Sequence, residues 1–500
     1  MRSPMPFGCP KQIFVAILGF GMGVGAWAQT LTPPLLPPSA AADLTQPPLL
    51  VDAAGVTNQG QNLGEPCRLQ PPDHPIHLFD AIRDALCSNP KTRQAWAAVQ
   101  VQAAQLGQAR AAYWPKLDAA LQFNRDHAAS TVEGQPQFDS NVSSRFRTQA
   151  LSLSWVLYDF GARTAAAHSA EQLLLASRYS LDDTLQTALL KTAKDYEAAL
   201  AASAGLDAAR DNARTAQKSL GIAQARMQQG VAAVSDVLQA ETAYAQAAAD
   251  ATHAQGTWQT AIGALAIDMG LDPEAASLQL QPLPAETGES PAGIDTLHTF
   301  LDDAERINPK INAARAQHLA ALAHAKAVRD AGLPSLHLTW KYSRNTQPVT
   351  GLGLPSFPAD AQDNFVGIEL DIPLFDGFDQ DWKVREAQAQ AREQEQALID
   401  ARRQVMRGVW SGFEGYKTAT ADLGSTRTVQ DVARQSLTAA QKRYQLGVAS
   451  ILEMLSAQAA LVKARQQHIQ ALTDWLVARL QLAYAVGSLG ASVDGHDLAR

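Results

Sequence analysis

Two acidic side chains hold the same place in a phrase that the chain uses twice. Asp236 lies in RMQQGVAAVSDVLQAETAY, which begins at Arg226, and Glu453 lies in RYQLGVASILEMLSAQAAL, which begins at Arg443. In each copy the acid follows a glycine (Gly230, Gly447) by six residues. Such acids offer charge, not bond-making, because the residues that would make them catalytic are missing. There is no His-Glu-x-x-His pair, no phosphate-cradling loop and no nucleophile elbow, and the 11 histidines are scattered. The alternating glycines Gly19, Gly21, Gly23 and Gly25 lack the strand-turn-helix context of a dinucleotide fingerprint. The sequence therefore points away from an enzyme and implies no cofactor.

Composition narrows the class further. A formal charge of -8, a pI near 5.8 and no basic cluster argue against nucleic-acid binding. Hydrophobic residues make up 46% but aromatics only 6%, with alanine supplying much of the rest, so long packed helices are expected in place of a thick globular centre. Arg2 and Lys11, the apolar run IFVAILGFGMGVGAWA and Ala26-Trp27-Ala28 read as an export signal over 1–28, cleaved before Gln29. Export leads to an oxidising compartment, where Cys67 and Cys87 could form a disulfide worth about 3 kcal/mol; the alternative is a pair of free thiols. Neither state has metal-site spacing.

The elements that position the two acids are themselves doubled. Asn89-Pro90 returns as Asn308-Pro309 and Pro115 as Pro334, at a spacing of 219; Tyr158-Asp159 returns as Phe375-Asp376 and Met269-Gly270 as Val486-Gly487, at 217. A tandem unit of about 200 residues follows. None of the 26 prolines falls between Gly161 and Gly270 or between Gly377 and Gly487. Each of these stretches reads as a helix of about 70 residues, a glycine turn and a second helix of about 39, the first spanning roughly 100 Å. The acid after each turn is worth under about 1 kcal/mol as a helix N-terminal charge.

Before each long helix the pattern changes to strict alternation. Leu117, Ala119, Leu121 and Phe123, then Leu151, Leu153, Trp155 and Leu157, occupy every second position. In the second half Leu336, Leu338, Trp340 and Tyr342, then Val366, Ile368, Leu370 and Ile372, do the same. This is the pattern of transmembrane barrel strands, with long outer loops expected near 127–146 and 345–363. Two hairpins supply four strands, whereas a single-chain barrel needs at least about eight. Four strands in lipid leave two open edges, so the barrel must be shared among copies of the chain.

Helix, strand, loop, strand, long helix, glycine turn and helix, performed twice, resembles the TolC family of outer-membrane factors. The resemblance rests on LCSNPKTRQAW, LYDFG, PLFDGF and the turns GVAAVSDVLQAE and GVASILEMLSAQ, and it covers roughly 75–490. It implies a mainly α fold with transmembrane β: four strands plus long coiled helices per chain, joined in a homotrimer with a twelve-stranded barrel in outer-membrane lipid. The helices would form a tunnel in the periplasm that meets an adaptor (membrane fusion) protein and an inner-membrane transporter. Gly230 and Gly447 would mark the periplasmic tips, with Asp236 and Glu453 just inside the entrance as carboxylate rings that favour cations. Tyr444 would pair with a residue like Asp236 across the closed entrance. Two departures stand out: Ser456 replaces a second acid found in some relatives, and Ala449 a latch arginine.

The expected organisation is a signal peptide (1–28), a Pro-rich segment (29–74), a first repeat (75–270), a linker (271–296), a second repeat (297–490) and a tail (491–500). The expected function is an export duct. The resemblance prefers type I protein secretion, because relatives serving drug-efflux pumps are often lipid-anchored through an N-terminal cysteine and residue 29, the first after the expected cleavage, is Gln29. A multidrug or metal efflux pump is the alternative, and a periplasmic coiled-coil adaptor the alternative of another class.

Overall fold

The computed structural model describes residues 75–136, 139–272, 278–281, 296–346 and 359–489. The export segment, the Pro-rich stretch with Cys67, most of the expected linker and the tail lie outside these residues.

Each half runs through the same elements. The first has α1 (Leu78–Ser88), α2 (Pro90–Ala111), β1 (Lys116–Ser130), β2 (Ser140–Tyr158), α3 (Ala162–Gln228) and α4 (Val234–Asp268). The second has α5 (Leu297–Ile307), α6 (Pro309–Asp330), β3 (Ser335–Asn345), β4 (Ala361–Asp371), α7 (Asp379–Gln445) and α8 (Ile451–Val486). The doubled Asn-Pro is a doubled helix start. Asn89 and Asn308 each cap a 22-residue helix, accepting from the Lys91 and Lys310 amides at 2.8 and 3.0 Å, while proline takes the first helical position. α3 and α7 are both 67 residues long, about 100 Å at the α-helical rise.

Alanine sets the spacing of these helices. On α6, Ala313, Ala316, Ala320, Ala323 and Ala327 are buried at alternating steps of three and four, which is one face of the helix. α6 packs on α3 and α7 through that face, closely enough that the Ser169 hydroxyl of α3 donates to the Ala320 carbonyl at 2.9 Å.

The strands form one antiparallel sheet in the order β1-β2-β3-β4. Its register brings apolar positions of the four strands into common rows, although an irregularity between Val156 and Tyr158 leaves Leu157 out of the ladder. Leu117 faces Leu153, Leu153 faces Trp340, and Trp340 faces Val366; one step along, Trp155 faces Leu338 and Leu338 faces Ile368. The opposite face carries Asp118, Ser152 and Lys341 in one row and His337 with Glu369 in another. The apolar face is open in the chain, with Leu121, Phe123, Val366 and Ile368 all 70% exposed or more. On β1 the apolar positions run from Leu117 to Phe123, six rises or about 20 Å along the strand, and the last two of them, Leu121 and Phe123, pair with Gln149 and Arg147. β1 and β4 have no strand beyond them among the described residues.

One expectation is corrected here. The stretch near 127–146 is mostly ladder: His127 pairs with Ser143 and Ser130 with Ser140, leaving a connection of 131–139. Polar composition suggested a loop, but backbone pairing needs no apolar side chains where a strand has risen beyond the apolar band. The second connection runs from 346 to 360, most of it outside the described residues.

The passage from strand to long helix is also built twice. The Asp159 carboxylate accepts from the Arg163 amide at 2.9 Å and the Asp376 carboxylate from the Gln380 amide at 2.9 Å. Phe160 and Phe378 adopt φ of 52° and 68°, beside Gly161 and Gly377. Two consecutive left-handed residues turn the chain sharply, and the glycine relieves half of the strain.

Candidate functional site

The candidate site lies where the two long hairpins turn. α3 ends with Gly230 at φ +74°, where the Gly230 amide donates to the Met227 carbonyl at 2.9 Å and the Val231 amide to the Arg226 carbonyl at 3.0 Å. α7 ends in the same way, with Gly447 at φ +79°, its amide on Tyr444 and the Val448 amide on Arg443, both at 3.0 Å. This pattern satisfies orphan carbonyls and requires a left-handed residue, which explains the glycines. Asp236 and Glu453 are each the third residue of the following helix. The starts differ: Ser450 Oγ accepts from the Glu453 amide at 3.2 Å, whereas Ala233 offers no side-chain cap.

All four helices contribute to the core behind the turns. Ala223 of α3, Ala240 of α4, Tyr444 of α7, and Ile451 and Met454 of α8 form one buried cluster. Tyr444 is only 1% exposed and its hydroxyl has no hydrogen-bond partner among the described residues. Within the single chain Asp236 acts on Tyr444 through space, without a hydrogen bond between them among the described residues. Burial raises the Tyr444 pKa, the Asp236 charge raises it further, and Arg226 opposes both.

The arginines of the repeated phrase, which spacing alone did not single out, carry the polar contacts. Arg226 Nη1 donates to the Tyr444 carbonyl, and the guanidinium sits 4.6 Å from the centre of the Tyr444 ring. Arg443 Nη1 instead donates to Glu453 Oε1 at 2.8 Å, within its own hairpin. The signal that could have found them is their shared place four residues before each glycine. Further along, Gln458 of α8 is buried and bridges to α3, donating to Asn212 Oδ1 at 2.9 Å; its Oε1 accepts from the Ser219 hydroxyl at 3.5 Å. Ser456 donates to the Glu453 carbonyl at 2.9 Å and so adds no charge to the site.

Outside this core the turns are apolar and open. Val231, Val234 and Leu238 on one hairpin, and Leu446, Val448 and Leu452 on the other, are each more than half exposed. Six such residues clustered on two adjacent tips resemble an interface more than a solvated end.

Cys87, at the end of α1, is disulfide-bonded. Among the described residues no group of acids, histidines and cysteines could hold a metal ion, and no helix is long and apolar enough to cross a membrane.

Comparison with known proteins agrees with this architecture. The family model described as "Outer membrane efflux protein" matches residues 81–270 and 300–488, once in each half. Protein CyaE of Bordetella pertussis is 31% identical over 424 residues, covering 84% of this chain and 86% of CyaE. The alkaline protease secretion protein AprF of Pseudomonas aeruginosa is 24% identical over 385 residues, covering 76% of this chain and 78% of AprF. Among solved structures, the outer membrane protein VceC of Vibrio cholerae superimposes with a TM-score of 0.69 at 20% identity, covering 82% of this chain and 96% of VceC.

Proposed function

The chain belongs to the outer membrane efflux protein family, the TolC family of outer-membrane factors, and from that premise we propose that it is the exit duct of a type I protein-secretion system. It is an outer-membrane channel protein whose helices extend into the periplasm. The observation that carries the channel reading is the four-stranded sheet, open at both edges among the described residues and carrying rows of apolar residues on one face. Unpaired edge amides and carbonyls in lipid cost several kcal/mol each, so the sheet closes only against further copies of itself. Three copies give a twelve-stranded barrel, with the paired helices continuing beneath it as a tunnel.

At the far end, the open apolar tips dock a periplasmic adaptor, which links the duct to an inner-membrane transporter. Asp236 and Glu453 contribute a negative potential at the entrance and favour cations. Protein export is preferred over drug or metal efflux because a matched relative is named for secretion of an alkaline protease. The test is deletion of the gene. Loss of one secreted protein from the medium with unchanged drug tolerance supports secretion. Drug hypersensitivity with normal secretion moves the duct to an efflux pump, and a soluble periplasmic monomer rules out the channel altogether.

A further inference from the structure

The face of the sheet that carries the apolar rows gives way to arginine at one end. On β1 the next position on that face after Phe123 is Arg125, and on β3 the next after Tyr342 is Arg344. On β2, which runs the other way, Leu151 is preceded on the same face by Gln149, Arg147 and Arg145. The ladder joins them: Arg125 pairs with Arg145, Arg147 with Phe123, and Arg344 with Gln149, which also pairs with Leu121. These are all the arginines of the four strands, whereas the strand acids Asp118, Asp126, Asp363, Glu369 and Asp371 all lie on the opposite face. The arginines also lie at the end of the sheet remote from the helices, toward the connections 131–139 and 346–360. With the helices in the periplasm, that end faces the cell exterior.

Much of this charge has no counterpart in the chain. Arg344 Nη2 pairs with Asp360 Oδ2 at 2.6 Å, but Arg344 Nε is buried without a partner among the described residues. Arg147 is steadied by Gln149, whose amide oxygen accepts from Nε and Nη2 at 3.1 and 3.2 Å. Arg125 and Arg145 stand directly opposite each other, and neither side chain has an ion pair or hydrogen bond among the described residues. Like charges placed so are destabilising unless an anion lies between them. Guanidinium groups hold phosphate through paired donors. A soluble anion would use only the arginines, whereas a lipid places its phosphate on them and its acyl chains along Leu121 and Phe123, which are 71% and 74% exposed.

We propose that this patch binds the phosphate groups of a phosphorylated glycolipid in the outer leaflet. The site rests on the reading of the sheet as part of an outer-membrane barrel wall.

Titration of the purified oligomer in neutral detergent with bis-phosphorylated lipid A tests it, with dephosphorylated lipid A and inorganic phosphate as comparison ligands. The unaltered protein should bind lipid A saturably and at least about tenfold more tightly than the dephosphorylated form, the weight of one hydrogen bond between charged groups. R125Q/R145Q/R147Q should lose at least about tenfold in affinity for lipid A. R125K/R145K, which keeps the charge but not the fork, should fall between. R178Q/R403Q/R407Q, which removes as much charge from exposed positions on α3 and α7, should bind as the unaltered protein does. Where the first variant does not assemble, R125K/R145K against the unaltered protein makes the comparison. Equal affinity for the two forms of lipid A, or equal loss in the patch and helix variants, overturns the site and leaves the channel standing. Displacement of lipid A by inorganic phosphate at equal concentration shows a plain anion site and overturns the lipid assignment. Absence of the unaltered protein from outer membranes removes the barrel reading and the lipid site with it.

Discussion

Gly487, at the end of α8, provides a demanding test of how the two ends of the second repeat are joined. Its φ is +94°, and a Cβ there would lie 2.8 Å from Asn308 Cα and 3.0 Å from Pro309 Cδ. Both atoms belong to the start of α6 or its cap, so no flexible side chain can move aside. An alanine costs about 1 kcal/mol for the left-handed conformation and about 1–3 kcal/mol more for displacing the packed backbone. That shift also disturbs the bond from Gln186 Nε2 to the Gly487 carbonyl and from Asn308 Nδ2 to the Ala485 carbonyl, each 2.9 Å. Gly230 is the matched control: its φ is +74°, but nothing lies within 4 Å of its Cβ position. Gly487→Ala should therefore lose about 2–4 kcal/mol per protomer and Gly230→Ala about 1. Thermal melts followed by helical circular dichroism, with heat-resistant oligomer on gels as a second readout, should place Gly487→Ala well below Gly230→Ala. Equal melting of the two variants would show that the junction yields without cost and would refute the packing argument.

Four other outcomes are expected. Burial pushes the Glu197 carboxyl from 4.5 up to about 7, with Arg479 opposing; the folded chain then holds more protons than the unfolded one across that window, so stability falls as pH rises through it. Glu197→Gln should recover about 3 kcal/mol above pH 7 and nothing below pH 4.5, read from melting temperatures. Ile368→Arg, on the apolar face, should cost about 2–4 kcal/mol and deplete outer-membrane oligomer, whereas Thr339→Arg on the polar face should leave the amount near normal. Glu453→Gln should reduce cation selectivity in bilayers without altering oligomer stability, because its pair with Arg443 is exposed; unchanged selectivity would remove the entrance role. Peptide mapping without reductant should find Cys87 linked to Cys67, and a Cys87 peptide linked to no other would contradict that pairing.

Much of the framework could be read without coordinates because its signals are local. Proline and glycine placement marked both 67-residue helices and their turns, and alternation marked the membrane portion of every strand. The extensions of β1 and β2 beyond the apolar band were not legible. Arg125, Asp126 and Ser143 look like loop residues, and only the partner strand supplies the reason to extend. At the tips, the glycines and acids stood out by repetition, whereas Gln458, Asn212 and Ser219 did not. Residues 246 positions apart meet only once two hairpins are laid side by side.

The amino-acid order by itself determined the duplication, the helix ends and the apolar positions of each strand. These follow from steric and hydrogen-bonding rules that act over a few residues. Tertiary structure decided which of two equivalent arginines leaves its own hairpin, that the Tyr444 hydroxyl finds no partner among the described residues, and which row of each strand faces which. These depend on how each helix or strand is rotated and shifted against its neighbour, and identical local phrases can be set in different surroundings.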